Sequence, residues 1–351
     1  MRSANVRVVI WGFGAMGGGM AEVLLRKKGV DVVGVCDVHP DRVGRSMFDV
    51  LGVPRGDRAD VIIEREIGSV IGPRSADVVL LCTDSFTGKT FDKIRLIVSL
   101  GINVVSTAEE MSYPRAKEPE LAAEMDRLAR ASGVSILGTG INPGLMMDLL
   151  AILMTGACTD VEYIRAMRVN SLSPFGPAVM EEQGVGITLD EFNTRAAAGR
   201  LAGHVGFNES VHMICDAIGW KLDGPVQQTM EPIVSGVHRT TRYADVLPGH
   251  VAGCTMKGYG HVGGRLAVEM IHPQQVEPGI EGTDTGDYLV IKGTPNVNLS
   301  NKPEIPGGVG TIAMCINMIP HVINARPGLH TMIDLPVPRA IMGDMRELIY
   351  E

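Results

Sequence analysis

From residue 6 to residue 137, short unbroken apolar runs alternate with stretches in which apolar positions recur every three or four residues. An unbroken run is what a strand buried on both faces looks like, and the wider spacing is that of a helix with one buried side. The pattern predicts strands over 6–11, 30–36, 76–82, 102–106 and 134–137. Helices are predicted over 15–28, from about 88 to 100, and over 117–132. Strands that alternate with helices imply a parallel sheet with right-handed crossovers.

Past residue 145 the texture changes. A helix through 154 leads to a strand over 161–169, a Pro/Gly loop and a helix near 189–198. Strand-like segments at 226–235, 250–259, 265–272 and 288–293, with turn residues between them, read as antiparallel pairs. Helical spacing returns over 310–323. The expected organisation is a first domain over 1–145, an α+β substrate and oligomerisation domain over 146–305, and a C-terminal segment over 306–351 that packs back on the first domain.

Length agrees with this division, since 351 residues favour two domains. Hydrophobic residues at 45% and charged residues at 21% are an ordinary globular balance. With 32 basic against 40 acidic side chains the formal charge is −8, which speaks against nucleic acid as a partner. The cysteines stand singly at 36, 82, 158, 215, 254 and 315, with no CxxC pair and no Cys/His cluster, so no metal site is expected. Reduced thiols fit a cytoplasmic protein. Residues 1–5 do not resemble a secretory leader, and the apolar run at 145–158 is broken by Asp148 and too short to span a bilayer.

One local motif carries specific chemistry. Gly12-Phe13-Gly14-Ala15-Met16-Gly17 is a G-x-G-x-x-G directly after a strand and at the start of a helix. Gly12 permits the tight turn, Gly14 lets a pyrophosphate approach the backbone, and Gly17 allows helix and strand to pack closely. The N–H groups of the helix start then face the phosphates. Asp37, at the end of the second strand, sits where a carboxylate accepts from ribose hydroxyls. These features predict a Rossmann-type doubly wound parallel sheet that binds a dinucleotide. His39, Arg42 and Arg45 follow closely, and a cation there could screen Asp37 and admit a 2′-phosphate. NAD(H) is the expected cofactor, with NADP(H) as the alternative. Thr83 and Asp84, in the turn after the third main strand, are expected along the cofactor or, with Ser85, capping the next helix.

The next strand ends in Ser106-Thr107-Ala108-Glu109-Glu110-Met111-Ser112-Tyr113-Pro114. Two adjacent acids at the carboxyl edge are either a solvated pair at a helix start or a source of one general base. Adjacent loop side chains diverge, so one of the pair is expected to point inward. The turn Gly138-Thr139-Gly140-Ile141-Asn142-Pro143-Gly144 could present Asn142 to the nicotinamide or act only as a hinge. Residues 306–311 could return to the cofactor ahead of the last helix.

These segments, together with Val9-Ile10-Trp11 and Ala325-Arg326-Pro327-Gly328-Leu329, resemble the 2,4-diaminopentanoate dehydrogenases and the related native amine dehydrogenases, a branch of the dihydrodipicolinate-reductase-like oxidoreductases. The resemblance implies NAD(P)-dependent oxidative deamination of the 4-amino group of 2,4-diaminopentanoate to 2-amino-4-oxopentanoate and ammonia, a reaction of ornithine degradation. A glutamate of the Glu109-Glu110 pair carries over as the acid/base, with Glu109 preferred. A diamino acid also needs a cation for its carboxylate and acceptors for its ammonium, for which Arg168, His204, Arg239 and Thr240 are the candidates. A homodimer is expected. The alternatives are an amine dehydrogenase for simple amines, a C=N or C=O reductase, and, outside catalysis, an NAD(H) sensor. The His-His and distal Lys pattern of a dihydrodipicolinate reductase is missing.

Overall fold

In the computed structural model, which describes residues 2–350, the apolar run Val6–Trp11 is strand β1 and the glycine turn after it opens helix α1 (Ala15–Leu24). The chain continues through β2 (Val30–Cys36), the short α2 (Met47–Leu51) capped by Ser46, and the two-residue β3 (Ile63–Glu64). Then come β4 (Val78–Leu81), α3 (Thr87–Ser99), β5 (Asn103–Ser106), α4 (Pro119–Ser132) and β6 (Ser135–Gly138). All of these strands pair in parallel, in the order β6-β5-β4-β1-β2-β3. Strand order reverses between β4 and β1, the point at which doubly wound sheets open a crevice at their carboxyl ends. Burial of Val9, Val79, Leu81, Val104 and Ile136 against Ile94, Ile97 and Val98 of α3 and Met125 of α4 makes the core on one face. Each such side chain contributes about 1.5–3 kcal/mol relative to exposure.

The second sheet is built differently. After α5 (Leu149–Thr155) the chain forms β7 (Asp160–Ser171), then α6 (Pro177–Glu182), α7 (Leu189–Ala197) and α8 (Phe207–Ile218). β8 (Gln227–Val234) is followed by a ribbon of β9 (Arg239–Thr240) and β10 (Asp245–Val246). The long strands β11 (Val251–Val262), β12 (Arg265–Gln275), β13 (Gly286–Thr294) and β14 (Val297–Asn301) complete it. The order is β14-β13-β7-β12-β11-β8, antiparallel except that β7 and β12 at its centre run parallel. One face is sealed by α5 and α8 over Ile164, Ala166, Val268 and Met270. The other carries half-exposed Tyr163, Met167, Tyr259, Ile271, Tyr288 and Val290.

Helix α9 (Gly307–Asn324) and β15 (Gly328–His330) complete the chain, and β15 pairs in parallel with β6 as the seventh strand of the first sheet. By contact density the chain divides into Met1–Gly144 with Gly308–Glu351, and Leu145–Gly307. The mixed α/β class and the parallel Rossmann-type sheet read from the pattern are borne out. Among the differences, α1 stops at Leu24 and α8 stands where no helix was expected; the 265–272 strand pairs antiparallel with 250–259 as expected, and on its other side it runs parallel to 161–169. No helix among the described residues is long and apolar enough to cross a membrane.

Candidate active site

The glycine turn has the three spaces its sequence demands. A Cβ on Gly12, which holds φ +96°, would overlap the Cys82 carbonyl oxygen, and one on Gly17 would overlap the Gly12 carbonyl. At Gly14 nothing lies within 4 Å of where a Cβ would sit, so the backbone there is open to an approaching group. Gly14 is also the N-cap of α1, with no side-chain cap and no acid in the first turn. The helix start, with Ala15 and Met16, therefore keeps unsatisfied N–H donors and its positive end for an anion. Phe13, between Gly12 and Gly14, is buried.

Asp37 is 7% exposed at the end of β2. Its Oδ2 accepts from the Phe13 amide at 2.5 Å and its Oδ1 from the His39 amide at 2.7 Å. Of the three cations that follow it, Arg42 is the one in contact, with its guanidinium 3.3 Å from Oδ2. Thr83 and Asp84, after β4, are both bonded by Lys93, whose Nζ donates to Thr83 Oγ1 at 2.8 Å and to Asp84 Oδ2 at 2.7 Å. Neither Asp84 nor Ser85 caps α3, because Phe86 is the N-cap and offers no side-chain bond.

After β5 the acid pair lies on a 3₁₀ turn, Glu109–Ser112, and its members part company. Glu110 is 2% exposed, accepts the Thr87 amide at 2.8 Å through Oε2, and pairs with Lys117 through Oε1. Glu109 is half-buried. The turn presses on β6 so closely that a Cβ on Gly138 would overlap the Met111 carbonyl. Asn142, in the turn that leaves β6, is half-buried beside Ile141, whose amide donates to Thr311 Oγ1 of α9 at 3.2 Å.

In the second unit the polar residues gather at one end of the helix-covered sheet face. Arg168 of β7 is 2% exposed and pairs with Asp287 across β13, and it also donates to the Ile305 carbonyl. Asn170 lies opposite Gln274 of β12, and both are buried. Asn170 Oδ1 and Gln274 Nε2 have no hydrogen-bond partner among the described residues. His272 donates Nδ1–H to the Arg168 carbonyl at 2.6 Å, the only sense a carbonyl allows, which leaves Nε2 as an acceptor. His204 stands edge-on to His272 with ring centroids 4.7 Å apart. Though part of its edge is exposed, loss of hydration pushes its pKa down to about 3, helped by Arg168; burial likewise holds His272 well below the usual range.

Arg168 and His204 are thus brought together, joined by Asn170, Gln274 and His272, which the sequence reading did not single out. The alternation that put Arg168 on the buried side of β7 also puts Asn170 there. Arg239 and Thr240 are elsewhere. Arg239 is buried among Ser235, Gln275, the Val276 carbonyl and Glu281, and Thr240 is exposed on the ribbon against Asp245. Burial pushes the Cys82 and Cys254 thiols to about 12, which makes them inert. Among the described residues no group of His, Cys, Asp or Glu is arranged to hold a metal ion.

A glycine turn with open backbone, an uncapped helix start and an acid behind them are the features of a Rossmann-type dehydrogenase fold. The profile of the 2,4-diaminopentanoate dehydrogenase C-terminal domain matches residues 145–351. The chain is 64% identical over 347 residues, 99% of its length and 98% of the relative's, to a 2,4-diaminopentanoate dehydrogenase of Acetoanaerobium sticklandii. It is 22% identical, over 96% of its length and 98% of the relative's, to an amine dehydrogenase of Streptomyces virginiae. The solved amine dehydrogenase of Mycobacterium smegmatis superposes with a TM-score of 0.86 at 27% identity, covering 97% of this chain and 99% of that one. The chain belongs to the 2,4-diaminopentanoate dehydrogenase family, and the resemblance carried by its motifs is borne out.

The buried neutral histidines set a pH dependence. In the unfolded chain a histidine takes a proton near pH 6.5. His204 and His272 resist protonation when folded, as do His212 and His321 to a lesser degree. Below that pH the unfolded state binds more protons than the native one, so stability falls as pH drops. The urea midpoint is expected to decline between pH 7 and pH 5, and less steeply in His204→Phe, which keeps the ring packing; a flat wild-type profile over that range contradicts neutral burial.

Proposed function

We propose that the protein catalyses NAD(P)-dependent oxidative deamination of the 4-amino group of 2,4-diaminopentanoate, giving 2-amino-4-oxopentanoate and ammonia, with reductive amination as the reverse. The observation that carries the reading is an acid turn at the carboxyl edge of a dinucleotide-binding sheet, in a chain whose second unit gathers donors and acceptors suited to an amino acid. Gly12 to Gly17 and Asp37 would hold the dinucleotide, whose nicotinamide supplies a hydride acceptor when bound. Glu109 is the acid/base. It takes a proton from the water that attacks the iminium carbon, gives that proton to nitrogen, and takes the remaining hydroxyl proton as the C–N bond breaks, the carbonyl forms and ammonia leaves. A well-placed base of this kind contributes roughly 100- to 10,000-fold in rate. Glu110 is already committed to Thr87 and Lys117.

Arg168, Asn170, Gln274 and His272 match the needs of the substrate's carboxylate and ammonium: donors for one, acceptors for the other. Arg239 and Thr240 drop out of this assignment because both are engaged away from the cluster. The cytoplasmic assignment draws support from the six free cysteines.

Reduction of NAD(P)+ followed at the nicotinamide absorbance is expected with 2,4-diaminopentanoate, and ketone reduction is expected to require ammonium. Glu109→Gln should cut kcat by about a hundredfold or more while leaving NADH binding intact. Alcohol formation from the ketone without ammonium would falsify the deamination reading.

For the cofactor we infer a preference for NAD(H), with NADP(H) admitted when Arg42 turns from Asp37 to the 2′-phosphate. Loss of one charge-assisted contact costs about 1.5–3 kcal/mol, or tenfold and upward. The ratio of kcat/KM for NADP+ over NAD+ should therefore fall about tenfold in Arg42→Ala, and an unchanged ratio assigns the phosphate elsewhere.

We infer a homodimer that pairs the half-exposed faces of the second sheet, where Tyr163, Ile271 and Tyr288 lie. Light scattering should give twice the chain mass, and Ile271→Lys should return it to one; a monomeric wild type rejects the assignment.

A further inference from the structure

We propose that Glu110 is a positioning residue: its buried carboxylate couples the start of α3 to the 3₁₀ turn that bears Glu109, and so fixes where Glu109 acts. The proposal rests on reading Glu109 as the acid. Helix α3 lacks a cap of its own, since Phe86 offers no side-chain bond and no acid stands in the first turn. Its Thr87 amide belongs to a fully buried residue and needs an acceptor. Glu110 Oε2 supplies one from 23 positions further along the chain, at 2.8 Å, and places a negative charge on the positive end of the helix.

Two more links come from the same residue. Its Oε1 takes the Lys117 ammonium, and its amide donates to the Ser85 carbonyl at 3.1 Å. Glu110 is therefore tied to the loop after β4 on one side and to the segment leading into α4 on the other. The turn is fixed from below as well, where Gly138 admits the Met111 carbonyl against β6. A turn gripped at Glu110 and Met111 leaves its first residue, Glu109, with a defined origin. An ångström of misplacement at a reacting group costs about a hundredfold in rate, so this grip matters to turnover.

The test compares full-length Glu109→Gln, Glu110→Gln, Glu110→Asp and Glu110→Ala, assayed with 2,4-diaminopentanoate and NAD+. Folding is checked by circular dichroism and by NADH fluorescence titration. Glutamine keeps the shape and the acceptor for Thr87, so Glu110→Gln should hold kcat within about fivefold. Aspartate keeps the charge but is a methylene short of its partners, so Glu110→Asp should fall below Glu110→Gln. Glu110→Ala should lose about 10- to 100-fold in kcat with little change in the amine KM. A residue that transferred protons itself would reverse the order, with aspartate above glutamine, and that result overturns the proposal. So does full kcat in Glu110→Ala. If the alanine variant does not fold, the order of glutamine and aspartate still decides. Full activity in Glu109→Gln overturns the assignment of Glu109 beneath the proposal, an outcome separate from either of these.

Discussion

A strand that runs straight into a helix leaves backbone N–H groups pointing at the carboxyl edge of the sheet, and each buried one must find an acceptor or cost about 1–3 kcal/mol. In the first unit these donors are met by side chains from distant parts of the chain. Asp37 answers Phe13, Glu110 answers Thr87, and Thr311 answers Ile141. The start of α1, at the glycine turn, has neither a side-chain cap nor an acid in its first turn. The capped donors stiffen the edge, and the uncapped ones are what an anionic dinucleotide can use. The shape of the crevice thus follows from which amides are satisfied internally and which are kept for a ligand.

The same constraint explains where glycine is required. At Gly12, Gly17 and Gly138 a methyl group would run into a carbonyl oxygen, so backbone meets backbone with nothing between. Two of these close approaches shape the dinucleotide turn and the third seats the acid turn on β6. Gly14 differs: its surroundings are open, so the fold itself does not demand glycine there, and under the proposed activity it would serve a ligand. A single residue type therefore does two jobs within six positions, and only geometry separates them.

Much of this was legible in the residues, because the signals involved are local. The apolar runs of β1, β2, β4 and β5, the glycine spacing and Asp37 all fall within short windows. Helix α8 is legible too, with Phe207, Val211, Ile214 and Cys215 spaced along one face between Gly206 and Gly219. β3 and β15 are two and three residues long, and no periodicity exists at that length. Strand direction is equally silent in alternation, which is why the parallel pairing of β7 with β12 came only from the structure. The acid pair shows the limit most clearly. Glu109 and Glu110 are equivalent on paper, and what separates them is an amide 23 positions before Glu110, whose availability depends on how α3 begins.

The polar end of the second sheet follows a different logic, that of charge kept in balance. Arg168 cannot be buried alone, and Asp287, opposite it in register, compensates it fully. The histidines beside them are held neutral, so the cluster carries almost no net charge despite its polarity. Under the proposed activity, that would suit a substrate end that is itself a balanced pair of carboxylate and ammonium. A free arginine would favour any anion, whereas a compensated pair flanked by amides and a neutral imidazole would favour a ligand that brings both signs. Under the same proposal Asn170 Oδ1 and Gln274 Nε2 would sharpen the choice, because a simple amine would leave both unpaired while an amino acid could meet an acceptor and a donor at once. Discrimination of this kind acts through unsatisfied polar atoms, and it is larger than a hydrophobic pocket achieves from the loss of a few methylenes.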